Sequence, residues 1–137
     1  MRITLEQAMQ AISATVERAA NDGGNHVALT VVDATGITIA AATMDKAPAR
    51  VVGIARAKAY TAAKMTVPTE AFLQKLRNEN LQAEWFCDKD FSPLPGGIPI
   101  LMDGACIGAV GVSGRALDDD VILAMFFART LEASLAR

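Results

Sequence analysis

Apolar side chains recur every three or four positions near the start of the chain, and this spacing predicts an amphipathic helix. Thr4 and Gln7 have the spacing of a capping box, so we expect the helix to begin directly after Thr4. Asn21-Asp22-Gly23-Gly24 then ends it. The apolar stripe, which should face a sheet, consists of Leu5, Ala8, Met9, Ile12 and Val16.

Two pairs of apolar runs, each pair joined by a tight turn, predict two β-hairpins. The first hairpin pairs residues 26–32 with residues 37–43 across Asp33-Ala34-Thr35-Gly36. The second occupies residues 94–114 around Asp103-Gly104, a dipeptide that readily adopts the positive φ angles of a type I′ turn. Since no other segment is so clearly punctuated, we expect the second hairpin to form the centre of the core.

Two helices are predicted between the hairpins. The first spans residues 47–65, where a proline suits the opening turn and alanines make the helix thin enough for close packing. We expect its Lys58 and Lys64 to reach solvent or an anionic partner at the helix ends. A short amphipathic helix should follow over residues 69–76, and residues 78–95 should form an ordered loop that could cover a pocket.

The last helix is predicted over residues 117–135. Asp118, Asp119 and Asp120 lie at its start, where solvated carboxylates complement the positive end of the helix dipole. Its apolar face should consist of Val121, Met125, Ala128 and Leu135. The element order is therefore α-ββ-α-α-loop-ββ-α, which is typical of an α+β fold with a mostly antiparallel sheet and helices packed on it.

Composition adds a size and an assembly state to this picture. We expect residues 1–137 to form a single domain, which is long enough to bury a core without disulfides. Hydrophobic residues make up 52% of the chain and aromatic residues only 5%, so alanine, aliphatic side chains and methionine must build the core. One small core cannot hold so many apolar residues, and we therefore expect a homo-oligomer.

Charge and cysteine content argue against several partners. The net charge of -2 comes from 13 basic and 15 acidic residues without a basic stripe, which argues against nucleic acid. No apolar run is long enough to span a membrane and no signal peptide is visible, so we expect a cytoplasmic protein. Cys87 and Cys106 lack any metal-binding spacing, and we expect two reduced thiols and no metal held by side chains alone.

Three segments carry a family pattern: residues 31–36 read VVDATG, residues 57–62 read AKAYTA, and residues 96–114 contain GGIPI, DG and IGAVGVSG. They resemble the GlcG/HbpS-like haem-binding proteins, a family also found as the C-terminal domain of some corrinoid adenosyltransferases. The resemblance implies a profilin-like sandwich, assembly into a homo-oligomer, and binding of haem or another small ligand. Arg115 stands where the family pattern has a second glycine, which leaves a ligand other than haem open.

Lys58 and Thr61 fall within the second of these segments. A lysine on an alanine-rich helix can hold a carboxylate or a haem propionate, and when desolvated it can act as a base or form a Schiff base. The alternative is a lysine whose stem packs while its head reaches water. We take Lys58 and Thr61 as the first candidates for binding a small, anionic molecule.

The end of the second hairpin supplies the other ligand-binding candidates, which are Gly111, Ser113, Gly114 and Arg115. Its glycines either pack against a helix or leave the backbone open to a ligand. Ser113 does not lie in the G-x-S-x-G arrangement of serine hydrolases. Arg115 follows the glycine-rich strand, where the anion of a ligand could sit.

His26, the only histidine, is the one conventional nitrogen ligand for haem iron, and its alternative role is that of a surface residue at a strand end. Three functions remain open. The first is a small-ligand binder with haem as the first ligand to test. The second is an enzyme acting on a small carboxylated metabolite, in which Lys58 or Arg115 binds the carboxylate and Asp119 or Cys106 handles protons. The third is a non-catalytic assembly module.

Overall fold

The computed structural model describes residues 1–136, and in this range four α-helices pack on a four-stranded sheet. In chain order the elements are α1 (Leu5–Asn21), β1 (Ala28–Asp33), β2 (Thr38–Thr43), α2 (Arg50–Met65), α3 (Thr69–Asn78), a short 3-10 helix (Ala83–Phe86), β3 (Gly97–Met102), β4 (Ala105–Ser113) and α4 (Leu117–Leu135). The predicted element order and the α+β class are confirmed. No helix within residues 1–136 is both long and apolar enough to cross a membrane.

The sheet is antiparallel throughout, with the strand order β2-β1-β4-β3. Both predicted hairpins form, and β4 joins them by pairing with β1, so that Leu29 lies opposite Val112. At the second turn, Asp103 has φ 52° and Gly104 has φ 81°, as a type I′ turn requires. The second hairpin therefore supplies a central strand, β4, and an edge strand, β3.

The two faces of the sheet are covered by different helices. Alternate side chains of β1 point to opposite faces, and Leu29 and Val31 belong to the larger core beneath α1 and α4. Val32 belongs to a second cluster, formed with the alanines of α2. The structure is therefore a three-layer arrangement, with α1 and α4 on one side of the sheet and α2 on the other.

Helix α2 lies unusually close to the sheet. A Cβ atom added to Gly111 would lie 2.2 Å from the Ala55 carbonyl oxygen, and one added to Gly97 would lie 2.2 Å from the Lys58 carbonyl oxygen. Both distances are far below van der Waals contact, so glycine is required on the strands where the helix backbone approaches. The predicted close packing of the alanine-rich helix is confirmed, and it explains the strand glycines.

The predicted apolar faces of α1 and α4 are partly wrong. Leu5 and Met9 are 56% and 57% exposed, and Met125 is 38% exposed. The buried face of α1 consists of Ala8, Ala11, Ile12, Thr15 and Ala19. That of α4 consists of Asp120, Leu123, Ala124, Phe127, Ala128, Leu131 and Leu135. Both helices carry apolar residues on several sides, so hydrophobicity alone does not select the inner face.

Candidate functional site

Lys58 has an anionic partner, Asp120, as one of the two predicted alternatives has it, but it meets that partner in the buried interior and not at a helix end. Its Nζ atom donates hydrogen bonds to the Val112 carbonyl oxygen at 2.8 Å and to Asp120 Oδ2 at 3.0 Å. The exposed side-chain fractions of Lys58 and Asp120 are 0% and 1%. Gly96 makes room for this contact, because a Cβ at that position would lie 2.9 Å from Nζ. The pair thus links α2 to α4 near the C-terminal end of β4.

The electrostatics of this pair follow from its burial. Burial lowers the pKa of the Lys58 ammonium, against the attraction of Asp120. Burial also raises the pKa of Asp120, against Lys58 and the backbone N–H groups of residues 114 and 115. Each charge therefore depends on the other for compensation. Because Lys58 Nζ has no solvent access in this structure, a ligand in solution does not reach it.

The other carboxylate oxygen of Asp120 holds the turn between β4 and α4. Asp120 Oδ1 accepts a hydrogen bond from the Arg115 backbone N–H at 2.9 Å. Asp118 and Asp119 are exposed, as a solvated start of a helix predicts, whereas Asp120 is not. The prediction of three solvated carboxylates is thus wrong for Asp120, because α4 turns this position towards the sheet.

The Arg115 side chain links this turn to the end of α1. Its guanidinium makes a bidentate ion pair with Asp22, with nitrogen–oxygen distances of 2.6 and 2.8 Å. It also donates to the carbonyl oxygens of Asn25 at 2.8 Å and Ala19 at 3.1 Å. Hydrogen bonds from Arg115, and one from the Gly24 backbone, lower the pKa of Asp22 to about 2. Four of the five guanidinium N–H groups are used, which leaves one unassigned.

A cleft of about 520 Å³ opens beside this ion pair, within the usual size range of small-molecule sites. It contains two of the predicted site residues, Arg115 and Asp119, together with Arg18. Arg18 has no ion-pair partner within residues 1–136, and its guanidinium carbon lies 4.5 Å from the centroid of the Phe126 ring. Ile122 adds apolar surface at the rim and is 59% exposed. The cleft therefore combines two cations, Arg18 and Arg115, with the carboxylates of Asp22 and Asp119 and a small apolar surface.

His26 lies two residues before β1 and next to Asn25, which lines the cleft, whereas His26 itself is not one of the lining residues. Its Nδ1 atom contacts the backbone carbonyl oxygen of Asp45. A carbonyl oxygen only accepts, so Nδ1 is the donor of this contact, and Nε2 is the ring nitrogen that it leaves for another partner. Metal-ligating histidines are oriented by the same kind of contact.

The remaining predicted residues lie elsewhere. Thr61 Oγ1 donates to the Ala57 carbonyl oxygen at 2.7 Å and accepts from the Ser92 backbone N–H at 2.8 Å, so it fastens the segment before β3. Gly111 packs under α2. Ser113 is 4% exposed. Gly114 has φ 144° and immediately precedes Arg115.

A second and larger cleft, of about 660 Å³, lies at the N-terminal end of α1. It is lined by apolar side chains and by the thiol-bearing Cys106, with Asp33 and Thr35 beside them. Cys106 and Arg115 thus occupy different clefts. Within residues 1–136, no group of three or more histidine, cysteine, aspartate or glutamate side chains is placed to hold a metal ion.

A family profile described as haem degrading protein HbpS-like matches residues 3–128. This chain belongs to the HbpS-like family. The resemblance read from the sequence motifs is therefore confirmed. Among curated protein sequences, none matches the chain.

Solved structures of HbpS-like and similar proteins share the whole fold. Protein ORFY from Klebsiella pneumoniae is 26% identical with a TM-score of 0.88, covering 97% of this chain and 93% of that chain. HbpS from Streptomyces reticuli, solved as a double mutant, is 31% identical with a TM-score of 0.84, covering 100% and 89%. A complex of PduOC with haem is 25% identical with a TM-score of 0.84, covering 95% of each chain.

Three residues of the candidate site have contacts that the sequence does not predict: Arg18, Asp22 and the inward-facing Asp120. A signal for Asp120 exists, because it continues the helical spacing of Leu123, Ala124 and Phe127. Arg18 and Asp22 give no such signal. Their pairing with α4 depends on how α1 packs, which local spacing does not encode.

Proposed function

We propose that this protein binds haem at the cleft beside the start of α4, with His26 as the iron ligand. The observation that carries the proposal is the contact between His26 Nδ1 and the Asp45 carbonyl oxygen, which leaves Nε2 free to coordinate. Membership of a family described as haem degrading, and the likeness to a PduOC–haem complex, support haem as the ligand. Bound haem would supply a redox-active iron that His26 would hold.

The cations of the cleft fit the two propionates of haem. Arg18 has no carboxylate partner within the described residues, and Arg115 keeps one N–H group beyond its bonds to Asp22 and backbone. Guanidinium groups bind carboxylates through charge-assisted hydrogen bonds. The exposed Ile122 side chain offers apolar surface to a porphyrin. Asp22 and Asp119 also line the cleft, and Asp22 is already paired with Arg115, so Arg18 and the remaining Arg115 N–H are the groups offered to the carboxylates of a ligand.

A spectrophotometric titration with ferric haem tests the proposal. We expect a saturable shift of the Soret band at micromolar protein, and a different Soret position for His26→Ala because the iron loses its nitrogen ligand. The matched control is Asp45→Ala, since Asp45 contacts His26 through its backbone only and its own side chain is exposed. Iron-free protoporphyrin separates porphyrin binding from iron ligation. No saturable shift would contradict haem binding, and a wild-type spectrum in His26→Ala would exclude His26 as the ligand.

A further inference from the structure

The buried ion pair Lys58–Asp120 ties together the end of β4, the turn after it and the first turn of α4. We infer that Lys58 and Asp120 are positioning residues that hold Arg115 in place for an anionic group of the ligand. The effect passes through the Arg115 backbone N–H. This inference rests on the proposed function, because it assigns Arg115 a ligand contact.

The chain of contacts is short and has no gap. Lys58 Nζ lies 3.0 Å from Asp120 Oδ2, and Asp120 Oδ1 lies 2.9 Å from the Arg115 backbone nitrogen. The same ammonium donates to the Val112 carbonyl oxygen at 2.8 Å. One lysine thus fixes both ends of the segment that carries Arg115.

Stability alone does not explain this pair. Replacing a buried ion pair by apolar side chains of similar volume is often neutral or stabilising, because both charges must be desolvated. An apolar pair, however, offers no acceptor to the Arg115 N–H. The ion pair adds a fixed acceptor: Lys58 holds Asp120 Oδ2, and this keeps Asp120 Oδ1 in place for the Arg115 backbone N–H.

The turn after β4 lies next to two residues that the proposal assigns to haem, Arg115 and His26. The Arg115 side chain reaches Asp22 and the cleft. Gly114 packs so closely on the segment before β1 that an added Cβ would lie 2.6 Å from the His26 carbonyl oxygen. A shift of the turn would therefore move the guanidinium away from its place in the cleft.

The test compares haem affinities of Lys58→Met/Asp120→Leu, Arg115→Met and the triple variant. We expect the double variant to fold and to bind haem about tenfold more weakly or worse, the loss of one hydrogen bond to a charged group. Arg115→Met should lose as much, and the triple variant no more than either. This non-additivity is a readout that general loosening of the fold would not produce. The Soret position of the saturated double variant should match wild type, because His26 is untouched.

A matched control removes an exposed ion pair that also starts on α2, Arg56–Asp90, whose side chains are 45% and 36% exposed. Arg56→Gln/Asp90→Asn should bind haem like wild type. Should the apolar double variant fail to fold, Lys58→Met/Asp120→Asn keeps a carbonyl oxygen for the Arg115 N–H without an unpaired buried charge. It should bind haem more tightly than Arg115→Met, and equal affinities would overturn the positioning role.

The outcomes separate the two proposals. Wild-type protein that does not bind haem would overturn the proposed function. Wild-type binding that is unchanged in the double variant, or losses that add up in the triple variant, would overturn the positioning role. Amide hydrogen exchange at Arg115 measures that role without haem, and it should accelerate in the double variant. Unchanged exchange would contradict the inference independently of any ligand.

Discussion

Replacing Lys58 by methionine should destabilise the protein strongly. Methionine fills a similar volume but leaves the Asp120 carboxylate without its cation at a position where only 1% of the side chain is exposed. Breaking one half of a buried pair costs about 3–5 kcal/mol, because the remaining charge is desolvated and uncompensated. That loss is large beside a typical unfolding free energy of roughly 5–15 kcal/mol.

The magnitude can be read in two assays. In a domain of this size each kcal/mol corresponds to roughly 3–5 °C in Tm, so Lys58→Met should melt about 10–20 °C below wild type. Urea unfolding followed by circular dichroism should give a matching fall in the midpoint with an unchanged m-value. Adding Asp120→Leu to Lys58→Met should recover part of the loss, since no buried charge then remains, while the Arg115 N–H still lacks its acceptor.

The matched control is Lys75→Met, which breaks an exposed ion pair at the end of α3, where Lys75 Nζ lies 2.7 Å from Glu79 Oε2. The two side chains are 47% and 52% exposed, and pairs of this kind contribute about 0.5 kcal/mol or less. Lys75→Met should therefore unfold almost like wild type. A Lys58→Met variant as stable as Lys75→Met would refute the reasoning, because it would mean that Asp120 does not depend on Lys58.

Three further predictions concern packing, pH and assembly. Gly111→Ala should lower the free energy of unfolding in urea by roughly 1–3 kcal/mol or more, because the added Cβ would lie 2.2 Å from the Ala55 carbonyl oxygen. Its control is Gly53→Ala in α2, where the added Cβ meets nothing within 4 Å, and this substitution should raise that free energy by about 0.5–1 kcal/mol. Equal effects of the two substitutions would contradict the close approach of α2. Arg115 lowers the pKa of Asp22 from 3.8 to about 2, so the stability that Asp22→Asn loses relative to wild type should be complete at pH 6 and shrink as the pH falls from 3.8 towards 2. A stability difference that stays constant over this range would exclude the charged pair as its cause. We also propose that the protein forms a homo-oligomer, because α1 exposes large apolar side chains. Native mass spectrometry should then give two or more times the chain mass of 14.4 kDa, and the mass of a single chain would contradict this proposal.

Much of the fold is predictable because local signals and tertiary packing agree. The Asp103-Gly104 turn requires two positive φ angles, and the dipeptide is one of the few that supply them at low cost. Thr4 and Gln7 form both hydrogen bonds of the predicted capping box. Helix α4 begins and ends at the predicted residues, 117 and 135.

The site is less predictable because its contacts join distant parts of the chain. Lys58 and Asp120 are 62 residues apart, and Arg115 and Asp22 are 93 apart. Lys58 does share a face with the buried alanines of α2, so helical spacing could have placed it inside. That spacing cannot show whether a carboxylate from another layer meets it. Charge favours a solvated lysine in the absence of such a partner.

The most direct test of haem binding through His26 uses the fact that the chain has a single histidine. Protein grown with ¹⁵N-histidine carries the label at one residue only. Electron–nuclear double resonance of its ferric haem complex should show an axial nitrogen whose coupling changes with the label and disappears in His26→Ala. Identical spectra from labelled and unlabelled protein would contradict the assignment, because the iron would then be held by another group.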